Sequence, residues 1–217
     1  MSRSPRIEPR WPAGLAVLVM TLLLVGSPNR FHLFPVGLSV LLMAAALTPM
    51  VAVGVTGGQA PWLRIERTVL WLVVVILILM TIANVTILVE VMVFGGAELS
   101  ALELLASGVV IWFTNIVSFS LAFWHVDRAG PEARLNRLPT RADWFFPQEG
   151  VPDSVPPEWR PTFIDYLFLG FSTATAFSPT GAIPLTARAM GLMMLESVIS
   201  LVTIATIAAR AINILGS

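Results

Sequence analysis

The sequence has no cysteine and no lysine; all 13 basic residues are arginine. Without cysteine there is no disulfide, no thiolate metal site and no cysteine nucleophile. His32 and His125 are the only histidines, too few for a His-rich metal site in one chain. Charged residues make up only 12%, against about 25% in soluble domains. The net charge is zero, so no basic field points to nucleic acid. The use of Arg in place of Lys reads as coding bias rather than function.

What the chain has instead is apolar length. It is 56% hydrophobic, and windows 11–29, 31–63, 68–89, 104–126 and 166–187 hold no Asp, Glu, Lys or Arg; 189–209 holds only Glu196. A bilayer core of about 30 Å takes roughly 20 apolar residues in a helix. The windows are long enough, and too many for one buried core. They predict an all-α integral membrane protein, multi-pass, in the cell's inner (plasma) membrane. Arg3, Arg6, Arg10 and the apolar run 12–26 have the layout of a signal peptide, but Pro28 stands where cleavage would be hindered, so the first helix is read as retained.

Four transmembrane helices are expected in residues 1–126. The first runs 11–26 and stops at Ser27-Pro28-Asn29. The second runs 33–55, with Pro35 at its start and a kink at Pro49. The third runs 67–94 and ends at Gly95-Gly96; the fourth starts at Ser100, capped with Glu103, and ends near Trp124-His125. Residues 127–162 form a second region, polar and rich in proline. Seven prolines forbid a long helix there, and an extended loop is expected, held at the headgroup level by Trp144, Phe145, Phe146 and Trp159. The sharper alternative is a partner or gating surface.

Arginine sets the orientation. With the N-terminus in the cytoplasm, the inner side collects Arg3, Arg6, Arg10, Arg64, Arg67 and the five Arg of 127–162, against Arg30 alone outside up to the fourth helix. The N-terminus and the Pro-rich loop are therefore expected to be cytoplasmic.

The third region, 163–217, is the most specific. Phe163 to Ala174 is a short apolar segment, Thr173-Ala174-Thr175 a turn, Ser178-Pro179-Thr180-Gly181 a polar break, and an apolar run continues to Leu215. The order of Leu167, Thr173, Ala174, Thr175, Pro184 and Thr186 resembles the pore loop and inner helix of potassium channels. The resemblance implies a half-helix ending at mid-membrane, whose negative dipole end favours a cation. It makes Thr173, Thr175, Ala176, Phe177, Ser178, Pro179 and Thr180 the filter-like residues. The sequence departs from that family at the filter itself. Ser178 and Thr180 stand at its two glycines and Pro179 at its tyrosine, so potassium selectivity of the usual kind is not implied. The Arg bias also brings the loop in from the cytoplasm, which leaves two readings: an inverted pore loop, as in ionotropic glutamate receptors, or a full crossing by 163–179 that forms a hairpin with the last helix. The whole chain is also similar to a family of uncharacterised bacterial multi-pass membrane proteins, through Asp165-Tyr166-Leu167-Phe168, Thr173–Thr186 and Ala189–Asn213; this implies no activity.

On the final helix Glu196, Ser200, Thr203 and Arg210 fall within about 80° of arc. Ionisable groups within a span usually face a bundle interior or water. Glu196, Ser200 and Thr203 are therefore candidate cavity-lining residues, with Glu196 as cation or proton site; the alternative is helix–helix bonding. Glu196 and Arg210 lie about 21 Å apart along a straight helix and cannot pair. Asn84, Thr86 and Asn115 read as interhelical glue, Glu90 as reaching the interface, and His125 with Asp127 as a proton relay or a solvated helix end.

No residue set suits an enzyme: there is no histidine pair, no close carboxylate pair and no Gly-rich phosphate loop. No cofactor or metal is expected. The chain reads as an ion channel or ion-translocating protein, with the lipid bilayer, monovalent cations and, for a pore, a homotetramer as partners. The alternative is a non-conducting membrane protein of assembly or interaction.

Overall fold

The computed structural model describes residues 7–26, 34–94, 101–136, 138–175 and 181–215. The helices are α1 (Trp11–Gly26), α2 (Val36–Thr56), α3 (Ala60–Phe94), α4 (Ala101–Val126), α5 (Pro131–Leu135), α6 (Phe163–Ala174) and α7 (Ala187–Leu215). Among the described residues, four stretches are long and apolar enough to cross a membrane: Val36–Thr56, Ala60–Val91, Leu105–Ala129 and Ala187–Ala209. The apolar helices α1, of 16 residues, and α6, of 12, are shorter.

Helix ends follow local chemistry. α2 stops where Gly57 and Gly58 turn left-handed at φ 66° and 77°, a conformation glycine adopts without a Cβ penalty. Pro49 is accommodated inside α2, buried. α3 begins seven residues before the expected start. Pro61 fits the first turn, where its missing N–H costs no bond. The charges at Arg64, Glu66 and Arg67, which mark a boundary in hydropathy, lie on the helix itself.

α4 is the central helix: 72% of its spanning window is buried, against 28% for α2 and for α7. It runs antiparallel to α7, as Asn115 meets Glu196, Trp112 meets Ser200, and Gly108 approaches Ile207. Small residues let these backbones approach. The apolar side chains of α7 that point outward include Met194, Val198 and Leu201.

One end of the bundle gathers the polar chemistry. Here lie the starts of α1, α3, α6 and α7, the ends of α2 and α4, and the 127–162 segment. That segment is not the extended loop expected at the headgroup level. After α4 it turns through Arg128, Ala129 and Gly130, all at positive φ, into α5. It then reaches β1 (Trp144–Phe145), which pairs antiparallel with β2 (Ile183–Pro184) just before α7. Trp144 and Phe146 are buried rather than anchored in headgroups. Trp144 packs on Phe123 at 5.0 Å between ring centres, and Phe146 on Tyr166 at 5.3 Å. Aromatic area of this size dominates a core, and it binds the segment to α4 and α6.

α6 enters this frame and stops. It starts at the polar end and is about 18 Å long. Gly170 lies against Glu196, Thr173 against Ser197 and Ala174 against Ser200. These numbers rise together, so α6 runs parallel to α7. By Ile183 the chain is back at β1. In the antiparallel hairpin considered from sequence the two helices would run in opposite directions, whereas α6 and α7 run parallel.

Candidate functional site

The short helix α6 is held at both ends. At its start the carboxylate of Asp165 accepts the Thr162 amide at 2.7 Å and the Thr162 hydroxyl at 2.9 Å. The amide of Phe163 donates to Glu8, a residue ahead of α1, at 2.9 Å. Trp124 Nε1 donates to both Glu8 oxygens, at 3.0 and 3.1 Å, and Arg134 stands 3.5 Å from Oε2. Burial pushes the Glu8 carboxyl above its usual range, against the opposing pull of Arg134, the Phe163 amide, Trp124 and Arg10. One turn on, the Tyr166 hydroxyl donates to Asp127 Oδ2 at 2.5 Å.

At the other end, four α6 carbonyls lack helical partners by rule. The structure pairs them with hydroxyls and one amide. Phe171 O accepts the Thr175 amide and hydroxyl, and Ser172 O accepts the Thr175 hydroxyl at 3.3 Å. Thr173 O accepts from Ser197 at 3.4 Å and Ala174 O from Ser200 at 2.5 Å. Ser200 in turn accepts Trp112 Nε1 at 2.9 Å. The hydroxyl of Thr173 turns back to Leu169 O.

Glu196 lies one turn nearer the polar end. It is 0% exposed, and among the described residues neither carboxyl oxygen has a hydrogen-bond partner. It sits about 14 Å along α7 from Ala187. Asn115 donates to its backbone carbonyl at 3.1 Å, while among the described residues Asn115 Oδ1 is also unpartnered. Gly170 makes room for it: a Cβ there would stand 3.3 Å from Glu196 Oε1 and 2.4 Å from Ser120 Oγ.

Of the residues singled out by sequence, Glu196, Ser200 and Thr203 are all buried on one face of α7. Glu196 and Ser200 look into α4 and α6 of their own chain. Ser200 is spent as a cap, and Thr203 bonds back to Ile199 O. Ala176, Phe177, Ser178, Pro179 and Thr180 lie outside the described residues, as does the side chain of Arg210. Asn115 is interhelical glue, as expected. Thr86 is exposed, and among the described residues its hydroxyl bonds only back to Ile82 O rather than to another helix. His125 and Asp127 form neither a mutual relay nor a solvated helix end. His125 Nδ1 meets Leu121 O at 3.0 Å, and Asp127, fully buried, accepts the amides of Asp143 and Trp144 besides Tyr166.

Sequence reasoning missed the ionic network at the polar end. Arg10, buried, binds Glu66 through Nε and Nη2, both at 2.9 Å, and donates to Glu132 and to Glu8 O. Burial opposes its charge, but the bonds and charges of Glu66 and Glu132 hold its pKa above the ordinary value. Asp143, fully buried, accepts Thr186 at 2.7 Å and Arg188 at 2.5 and 2.6 Å, which fixes the start of α7. The available signal was that Glu8, Arg10, Glu66 and Asp127 all flank apolar windows, where a bundle end can bury and pair them. Among the described residues no group of three or more His, Asp or Glu could hold a metal ion. No family model, curated protein or solved structure matches the chain.

Proposed function

We propose that the protein moves protons or monovalent cations across a membrane, and that Glu196 is the group that carries them. On this reading α6 dips into the bilayer from the Arg-rich cytoplasmic face and returns to it. The observation that carries the reading is the Glu196 carboxyl, enclosed part-way along an apolar span with both oxygens unpartnered among the described residues. An uncompensated carboxylate there is costly, and a bound proton or cation removes the cost. The unpartnered Asn115 Oδ1 beside it supplies a further acceptor. Because Glu196 faces its own α4 and α6, the path runs within one chain, and the tetramer that an axial pore requires is not needed.

The second reading is a non-conducting membrane protein of assembly or interaction. It is favoured by the Ser200 and Thr203 hydroxyls, which bond within the chain to Ala174 O and Ile199 O. Flux in liposomes separates the two. Purified protein should dissipate an imposed proton or monovalent-cation gradient, and Glu196→Gln should abolish this while thermal stability holds. No flux from the wild type leaves the non-conducting reading, and equal flux from a stable variant removes Glu196 from the path.

A further inference from the structure

A cavity of about 290 Å³ opens at the polar end between the first turns of α3, the end of α4 and α5. Arg64, Glu66, Arg67, His125, Glu132 and Thr140 contribute to its wall. Its two carboxylates are already committed, since Glu66 and Glu132 both bind Arg10. Arg64 and Arg67 are exposed, and among the described residues neither has an ion-pair partner. The cavity therefore offers two free guanidinium groups. His125, with Nδ1 spent on Leu121 O, has Nε2 left to meet a hydroxyl or another donor.

The geometry points to a binding site for a phosphate group, held by Arg64 and Arg67 and belonging to an anionic phospholipid. Arginine forks suit phosphate oxygens. The location selects the lipid. Arg64 lies at the polar end of a 32-residue apolar stretch, the level at which headgroups meet a spanning helix. Below it Thr68, Leu72, Val75 and Leu79 fall within about 80° of the same helix face. All four are exposed, so an acyl chain can lie along them from a headgroup seated at Arg64. A hydroxyl-bearing headgroup such as glycerol would use His125 as well.

The test uses the full chain in nanodiscs of phosphatidylcholine doped with phosphatidylglycerol, with bound lipid read by native mass spectrometry. The wild type should retain phosphatidylglycerol. The double variant Arg64→Gln/Arg67→Gln should lose affinity by about tenfold or more, the equivalent of one charge-assisted bond. Leu138→Glu, at the exposed rim of the cavity, should weaken binding without touching either arginine. Arg141→Gln, which removes an exposed arginine that does not line the cavity, should retain the lipid. Equal retention by the double variant, or equal loss from Arg141→Gln, would overturn the site. Sodium phosphate that stabilises the protein in pure phosphatidylcholine as much as the anionic lipid does would overturn its assignment to a lipid.

Discussion

Ser200 on α7 donates its hydroxyl to the carbonyl of Ala174, the last residue of α6, at 2.5 Å. This bond makes a polar residue of α7 into a cap of α6, and explains how α6 can stop among apolar neighbours. Ser200→Ala should leave the Ala174 carbonyl and the Trp112 indole N–H without partners. We expect a loss of about 1–3 kcal/mol, the cost of buried unpaired polar groups, measured by thermal or denaturant unfolding in detergent. Unchanged stability would mean that α6 does not depend on this cap.

The pairing at the polar end is the other fixed point. Arg10 makes a two-pronged bond to Glu66, and both side chains are nearly inaccessible to solvent. Breaking such a pair from one side strands a charge. Glu66→Leu alone should cost about 3–5 kcal/mol, whereas the shape-matched double change Arg10→Met/Glu66→Leu should recover much of that loss. Glu132 tempers the recovery, because it also binds Arg10. A double variant no more stable than Glu66→Leu would show that the pair is not the source of the loss.

The helices were legible in the sequence because apolar length alone decides them. The 11–26 helix has the expected bounds, and α4 and α7 differ only at their ends. The face shared by Glu196, Ser200 and Thr203 was legible too, since helical period alone places it. What those residues touch was not, because contacts between α4, α6 and α7 depend on how helices assemble. The 127–162 segment misled for a physical reason. Its prolines do exclude a long helix, but they do not prevent Asp127 and Asp143 from ordering it through tertiary bonds. The start of α3 misled in the same way. Arg64, Glu66 and Arg67 look like a boundary until Arg10 is seen to neutralise Glu66 on the helix itself.

Glu8 gives a pH dependence with a definite sign. Its folded pKa lies above the ordinary value of 4.5, chiefly through burial. The folded state thus holds this proton more tightly than the unfolded chain does. The stability so gained is full below pH 4.5 and is lost as pH rises through the folded value. Glu8→Gln mimics the protonated form and lacks this term. The melting temperature of the wild type relative to Glu8→Gln should therefore fall as pH is raised from about 4.5. A relative melting temperature that climbs instead would mean that attraction to Arg134 and Arg10 outweighs burial.

The parallel course of α6 and α7 leads to a topology that labelling can check. Both helices start at the polar end, where β2 rejoins β1. If the Arg-rich end is cytoplasmic, then α6 returns to the cytoplasm and α7, 29 residues long, carries the chain to the far side. The two termini should then lie on opposite sides of the membrane. A full crossing by 163–179 would have put them on the same side. The natural chain has no cysteine, so single introduced cysteines report without background. Cysteine at Ser154 should resist an impermeant maleimide in intact spheroplasts and react after lysis, while cysteine at Ser217 should react in both. Protection of both sites would reject the half-helix topology. Labelling at Ser154 with protection at Ser217 would keep that topology but invert the protein in the membrane, placing the arginine cavity and the mouth of α6 outside the cell.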